Sequence, residues 1–185
     1  MTSKKLFISL MLFSLVMVSS GLNTNTHAIM PVKVSFESLA TDVKKQILCL
    51  ADNVYFEAVN EPYEGKLAVA FVTFNRLRTG NYADTICGVV TQKTKGTCQF
   101  SWYCDPKLVR QRLTIRETSL YNNILNLSTH VYFNLDYMKD VTKGATFYHA
   151  DYVQPGWKLR KVTKIGKHIF YVRNGDMVRG KERSV

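Results

Sequence analysis

Residues 41–80, TDVKKQILCLADNVYFEAVNEPYEGKLAVAFVTFNRLRTG, predict two consecutive helices separated by a short break. In the first, 42–58, apolar residues recur at steps of three and four, the repeat of an amphipathic helix, and Thr41 is the expected N-cap. The second, 62–78, begins near a proline, which suits a first helical turn, and Gly80 is a natural stop. This helical pair is the expected centre of the fold.

Towards the C-terminus the hydrophobic pattern changes from that of helices to that of strands. A third long helix is expected at 116–133, and strands are expected at 145–148 and 162–172, the latter turning at Gly166-Lys167. A short helix at 84–92 and a structured loop or hairpin at 96–105 lie between them. The predicted architecture is α+β, one mainly helical domain with a small C-terminal β element.

The N-terminus has the features of a secretory signal peptide, predicted over residues 1–28. Two lysines precede a thirteen-residue apolar run and then small, polar residues, and cleavage is expected after Ser20 or Ala28. An uncleaved anchor is the alternative, although the run is short of the ~20 residues that span a bilayer. Either way the rest is exported, which predicts a secreted, periplasmic or cell-wall protein with transient membrane contact through this segment.

Three further segments follow from the composition. Residues 29–41 are predicted to be a linker, 42–175 a catalytic domain and 176–185 a basic tail. The 185 residues include 25 Lys and Arg against 14 Asp and Glu, a formal charge of +11, and residues 29–185 keep +9. Such a charge favours a polyanionic partner: nucleic acid, anionic lipid or an acidic wall polymer. Export and the lack of a recognisable motif argue against nucleic acid, and a monomer is expected.

Four cysteines lie in the exported part, Cys49, Cys87, Cys98 and Cys104. An even number in an oxidising compartment predicts two disulfides, with three connectivities open. Cys98 and Cys104 are close enough to close a local loop, which would leave Cys49 to pair with Cys87. The spacing lacks paired C-x-x-C units, so no zinc site is expected.

Glu57 is the candidate catalytic acid. It stands at the end of an apolar helix between aromatic and small residues, where partial desolvation raises the pKa of a carboxyl towards neutrality. A general acid needs a raised pKa in order to keep its proton near pH 7. The alternative is an ordinary, partly exposed helix residue. Glu61 and Glu64 are expected to be helix-start acids, with a second catalytic carboxylate as the alternative.

Three blocks of sequence resemble the SleB-type cell wall hydrolases, which include the spore-cortex lytic enzymes. They are NVYFEAVNEPYEGKLAVAFVTFNRLRTGNYADTICGVV, CQFSWYCD and GATFYHADYVQPGW, in the family's order, and the resemblance covers about residues 47–173. It implies a lysozyme-like or transglycosylase-like fold acting on peptidoglycan glycan strands, without a cofactor. The family's catalytic glutamate, the first acid of its E-A-x-x-E-P-x-E-G block, corresponds to Glu57. Val59-Asn60 replace the Arg-Gly of many relatives.

A single acid suits a lytic transglycosylase better than a hydrolase. Most glycosidases need two carboxylates that flank the scissile bond, whereas a transglycosylase can use one glutamic acid as acid and then as base. We therefore expect cleavage of the MurNAc-GlcNAc backbone to a 1,6-anhydro end. The alternative is a muramidase-type hydrolase in which folding brings Asp84, Asp105 or Asp151 close to Glu57.

Sugar binding needs flat apolar surfaces beside hydrogen-bonding groups, and two aromatic blocks supply both. The predicted substrate-binding residues are Gln99, Ser101, His149, Tyr152 and Trp157. Phe100 and Phe147 are expected in the core instead. Asn75 is expected to be a buried hydrogen-bonding residue.

Two other classes of function remain open. A thiol peptidase would use Cys104 or Cys98 with His149, but exported cysteines favour disulfides. A non-catalytic wall-binding module would leave Glu57 without a chemical role. A metal site from His130, His149 and His168 has no recognisable spacing, so no metal is expected.

Overall fold

The computed structural model describes residues 34–176. The predicted signal peptide, residues 29–33 of the predicted linker and residues 177–185 of the predicted tail lie outside this range. Within it, no helix is both long and apolar enough to cross a membrane.

The described chain forms five α-helices. They are α1 (Thr41–Ala58), α2 (Tyr63–Thr79), α3 (Ile86–Thr91), α4 (Pro106–Ile115) and α5 (Ser119–Asn134). The three long helices predicted from the sequence are confirmed, and Gly80 ends α2 in the left-handed conformation, φ +70°. Thr41 as the N-cap of α1 is wrong, because Ala40 takes that position and its side chain has no polar group with which to cap the helix.

Helix α4 was not predicted from the sequence. Because it ends at Ile115, helix α5 begins later than the predicted helix 116–133. Asp105 caps α4 by accepting hydrogen bonds from the backbone N–H groups of Lys107 and Leu108, with Pro106 at the first turn. Thr118 then caps α5, accepting from the Tyr121 N–H at 3.2 Å. The start predicted at Arg116 is therefore wrong, because α4 ends at that point and a new helix begins at Ser119.

Two small antiparallel sheets complete the fold. A hairpin of β1 (Lys93–Thr94) and β2 (Thr97–Cys98) begins three residues before the predicted loop or hairpin region, 96–105, and a 3-10 turn follows at Ser101–Cys104. The second sheet has the order β3-β5-β4, from β3 (Phe147–Ala150), β4 (Arg160–Ile165) and β5 (His168–Val172). The turn predicted at Gly166-Lys167 is confirmed, and the first strand begins two residues later than expected.

Helix α2 separates two apolar clusters. One side of α2, including Phe71 and Phe74, packs with α1, α3 and α5 in the main core. The other side, Ala68 and Val72, packs against Ala145 and Phe170 of the sheet region. Apolar surface is buried on both sides of α2, and this holds the sheet against the helices. Each Å² of apolar surface removed from water stabilises the fold by roughly 25 cal/mol.

The helices are also joined covalently and by a buried charge. Cys49 bonds to Cys87 and ties α1 to α3, while Cys98 bonds to Cys104 and closes the loop before α4. Both predicted pairs are confirmed. Asp52 of α1, 1% exposed, accepts from the Tyr121 hydroxyl at 2.7 Å and pairs with Arg116. A buried carboxylate requires such partners.

Candidate active site

Glu57 lies in the last turn of α1 and meets the sheet at Tyr148 of β3. The Tyr148 hydroxyl donates a hydrogen bond to Glu57 Oε2 at 3.0 Å. Residues alternate between the two faces of a strand. Tyr148 therefore points inward, and its neighbours Phe147 and His149 point to the opposite face. Its ring packs on Phe170 in the core (5.6 Å between centroids), which places the hydroxyl against the helix.

The environment of Glu57 favours its protonated form. Burial raises the pKa of Glu57 above its usual 4.5, while the hydrogen bond from Tyr148 and the charge of Arg76 act in the opposite direction. The raised pKa is the direction that the sequence predicts for this position. Burial and the neighbouring Glu57 carboxylate also raise the pKa of Tyr148 well above 10, so its hydroxyl stays a donor.

Arg76 is a functional candidate that the sequence analysis missed. It lies on α2, is 4% exposed and donates from Nε to the backbone oxygen of Thr146 at 2.8 Å. Its guanidinium lies over the rings of Phe100, Tyr82 and Phe147, at 4.7 to 5.8 Å from the centroids. An arginine on the buried side of an otherwise apolar helix was the signal available in the sequence. Its buried charge favours a carboxylate at Glu57.

The two other acids near Glu57 in sequence have different surroundings. Glu61 is buried, and its Oε2 accepts from the Lys167 N–H at 2.9 Å, so it fixes the turn between β4 and β5. Glu64 lies in the exposed first turn of α2, as expected for a helix-start acid.

The aspartates considered as second catalytic groups are also occupied elsewhere or exposed. Asp105 caps α4, and Asp151 forms an ion pair with Lys164 at 2.8 Å. Asp84 is exposed in the loop before α3. Within residues 34–176, none of these three carboxylates bears on the pKa of Glu57.

The disulfide-closed loop lies beside the end of α1 that carries Glu57. Trp102 is buried, stacks on Phe56 with 4.6 Å between ring centroids and donates to Asn53 Oδ1 at 3.0 Å. The indole is thus a core group rather than a sugar platform. Ser101 is exposed at the start of the 3-10 turn, and half-buried Gln99 donates to Thr94 Oγ1 at 2.9 Å.

His149 lies on the face of β3 opposite Tyr148, and Trp157, in the segment between β3 and β4, packs on that face. His149 packs on Tyr171 of β5 (5.2 Å between centroids), and the Trp157 ring stands edge-on to His149 at 5.5 Å. Tyr152, 83% exposed, follows β3. The structure therefore separates the predicted site residues: Gln99 and Ser101 lie in the loop that packs on Phe56 through Trp102, whereas His149 and Trp157 lie on the sheet face opposite Tyr148.

The remaining predictions for single residues can be checked directly. Phe100 is 2% exposed and Asn75, also 2% exposed, donates to Asp140 Oδ2 at 2.9 Å, which confirms both as buried. Phe147 is only half-buried, because it packs under Trp157 at the sheet's outer face.

The four cysteines are all in disulfides, so a thiol peptidase would have no nucleophile. In the described range, no three His, Cys, Asp or Glu side chains form a cluster that could hold a metal ion.

A family model described as Cell Wall Hydrolase matches residues 60–171. The chain belongs to this family. The matched region begins just after Glu57, so the role of that acid rests on the site itself. In curated relatives, the spore cortex-lytic enzyme of Halalkalibacterium halodurans is 31% identical over 129 residues, which is 67% of this chain and 34% of that enzyme. That of Oceanobacillus iheyensis is 47% identical over 47 residues, 25% of this chain and 17% of that enzyme.

Two solved structures share the fold of this SleB-type cell wall hydrolase. The catalytic domain of the germination-specific lytic transglycosylase SleB from Bacillus anthracis aligns with a TM-score of 0.52 at 22% identity. It covers 73% of this chain and 98% of that domain. The catalytic domain of Bacillus cereus SleB gives 0.50 at 23% identity, over 70% and 91%. These likenesses confirm the predicted α+β fold, while the chain spans about a third or less of the curated relatives' length.

Proposed function

We propose that this chain is an exported lytic transglycosylase that cleaves the MurNAc-GlcNAc backbone of peptidoglycan with Glu57 as its single catalytic acid. The observation that carries the proposal is the half-buried Glu57, whose pKa is raised by burial and whose Oε2 is held by Tyr148. A group with a pKa near the working pH serves as acid and as base in turn. The names of the relatives, spore cortex-lytic enzymes and a lytic transglycosylase, support the same class of substrate.

The reaction needs two proton transfers at one carboxyl. Protonated Glu57 gives its proton to the bridging glycosidic oxygen as the bond from that oxygen to C1 of the muramic acid breaks. The resulting carboxylate then takes the proton of the C6 hydroxyl of the same sugar, whose oxygen bonds to C1. The products are a 1,6-anhydro end and a free hydroxyl, without consumption of water. Arg76 stabilises the carboxylate between the two steps, and Tyr148 holds Oε2.

Gln99 and Ser101 are the proposed substrate contacts on the side of Glu57, because their loop packs on Phe56 through Trp102. Tyr152, His149 and Trp157 are proposed glycan contacts away from the reacting atoms. The positive charge is proposed to hold the enzyme on anionic wall polymers. Export by the N-terminal signal, a monomeric state and action without a cofactor belong to the same proposal. A muramidase with a second carboxylate is the alternative.

The products of murein digestion test the proposal. We expect Glu57→Gln to lower glycan cleavage by about 10²–10⁴-fold, the usual contribution of a general acid and base. Mass spectrometry of the wild-type digest should show 1,6-anhydro-muramoyl ends. Glu117→Gln, an exposed acid between α4 and α5, is the matched control and should cleave as the wild type does. Reducing muramic acid ends would mean hydrolysis, and full activity of Glu57→Gln would mean that another group is the acid.

A further inference from the structure

A cavity of about 330 Å³ opens on the outer face of the three-stranded sheet, opposite the face that meets Glu57. Two pairs of residues establish this separation. On the inner face Tyr148 reaches Glu57 and Phe170 is fully buried. On the outer face His149 and Tyr171 stack and form the floor of the cavity. The sheet itself therefore stands between the cavity and the proton-transfer site.

The cavity combines an aromatic wall with fixed polar groups. Trp157 is 41% exposed and meets Tyr171 edge-on at 6.0 Å, so its ring forms one wall. His149 Nδ1 lies 2.8 Å from the Ala150 carbonyl oxygen, which can only accept, so Nδ1 carries the hydrogen. In the neutral ring Nε2 then accepts from the Tyr171 hydroxyl at 3.0 Å, which orients that hydroxyl.

The lining of the cavity adds hydrogen-bonding groups. Asp151 lines the cavity with its carboxylate fixed by the ion pair to Lys164 at 2.8 Å, and Gln154 supplies an amide. Gly156 takes φ +65°, which lets the segment turn from Gln154 to Trp157. None of the residues that line this cavity is a lysine or an arginine.

The geometry points to a second glycan-binding site in this cavity, which takes neutral N-acetylated amino sugars of a peptidoglycan strand outside the catalytic cleft. An exposed tryptophan face beside fixed hydroxyl, amide and carboxylate groups suits the apolar face and the hydroxyls of a pyranose. Stem peptides carry carboxylates, for which the lining provides no cation. The choice of a glycan rests on the proposed function, whereas the separation from Glu57 rests on the sheet alone.

The two tryptophans of the chain provide a direct measurement. In the Glu57→Gln protein, which prevents turnover, the indole N–H signals of ¹⁵N-labelled Trp157 and Trp102 can be followed while tetra-N-acetylchitotetraose is added. We expect the Trp157 signal to shift in a saturable manner. Trp102 is buried and bonded to Asn53, so its signal reports any binding near Phe56 or a global change.

A substitution makes the assignment specific. Trp157→Ala in the same background should weaken binding of the oligosaccharide about tenfold or more in calorimetry, as loss of a stacking aromatic does. Tyr137→Ala removes another exposed aromatic outside the cavity and should leave the affinity unchanged. An unmoved Trp157 signal, shifts of both indoles with one affinity, or a shift of Trp157 with a free stem peptide alone would overturn the second site. The proposed cleavage is judged separately, by the anhydro ends of the wild-type digest.

Discussion

At the scale of single residues, opposing effects set the pKa of the Glu57 carboxyl. Burial raises the pKa of Glu57, while a donated hydrogen bond from Tyr148 and the charge of Arg76 lower it. In the proposed reaction, these two groups favour the carboxylate that forms after proton donation, which is what one acid acting in both steps requires.

Replacement of Tyr148 by Phe should move the alkaline limb of the pH–activity profile to higher pH. The Tyr148 hydroxyl stabilises the ionised form of Glu57, so its loss raises the pKa of Glu57 further, and the protonated acid persists to higher pH. Of the groups near this pair, Arg76 keeps its charge, and His168, whose ring lies 5.0 Å from that of Tyr148, has a pKa lowered by burial.

The measurement is kcat/KM on soluble murein fragments as a function of pH. Tyr137→Phe, which removes a hydroxyl from an exposed tyrosine in the 3-10 turn after α5, is the control and should reproduce the wild-type profile. An unchanged or lower alkaline limb in Tyr148→Phe would contradict the assignment of Glu57 as the group that controls this limb.

The sequence was informative about Glu57 and uninformative about its partners. A carboxyl at the end of an apolar helix can be recognised from its neighbours in the chain. Tyr148 is 91 residues away in sequence. Which face of β3 it occupies depends on the register of the strands, because a one-residue shift reverses every side chain. For the same reason His149 and Trp157 were grouped with Glu57, although the sheet separates them.

At the scale of elements, the break between α1 and α2 is fastened to the sheet through Glu61. Its Oε2 accepts from Lys167 N–H at 2.9 Å, next to Gly166, which has φ +55°. A Cβ at Gly166 would fall well inside the contact radius of that carboxylate oxygen. The turn between β4 and β5 therefore approaches the helix break as closely as it does only because residue 166 is glycine.

Gly166→Ala should destabilise the fold more than Gly80→Ala does. Both positions have a left-handed backbone, which costs a residue with a Cβ about 1–2 kcal/mol. Open space surrounds Gly80, so its substitution carries this cost alone. Gly166→Ala must also displace the buried Glu61 carboxylate from its donor, an added cost of about 1–3 kcal/mol. Urea unfolding of both variants measures the difference, and equal losses would show that the contact with Glu61 contributes nothing.

The elements that the sequence revealed are those with a clear repeat. Helices α1, α2 and α5 have apolar residues in phase, and most of these residues are buried. Leu120, expected on the buried side of α5, is 46% exposed. Helix α4 has no fully buried residue, and its apolar residues Leu108, Val109 and Ile115 are only partly buried against the core. Its clearest mark in the sequence is the Asp105-Pro106 start. Spacing favoured the observed cysteine pairing among the three possible ones, since a separation of six residues lets Cys98 and Cys104 close a local loop.

At the scale of the whole molecule, charge and site act over different distances. In the proposed function, the formal charge of +11 would attract anionic wall polymers at long range, whereas the cavity beside Trp157 has no lysine or arginine in its lining. Lys107 and Arg110 of α4 are examples of cations that are exposed to solvent. Charge would then concentrate the enzyme on the wall, and the neutral contacts would select the glycan.

Salt should therefore weaken wall retention without abolishing recognition of the glycan. Because the screening length falls from about 10 Å at 0.1 M to about 3 Å at 1 M, Glu57→Gln protein should bind walls that carry teichoic acid several-fold less in high salt. Walls stripped of teichoic acid should show a much smaller salt dependence, and charge reversal at Lys107 and Arg110 should reduce it on intact walls. Sedimentation of the protein with each wall preparation measures retention. If retention on intact walls were the same at both salt concentrations, long-range attraction would have no part in holding the enzyme on its substrate.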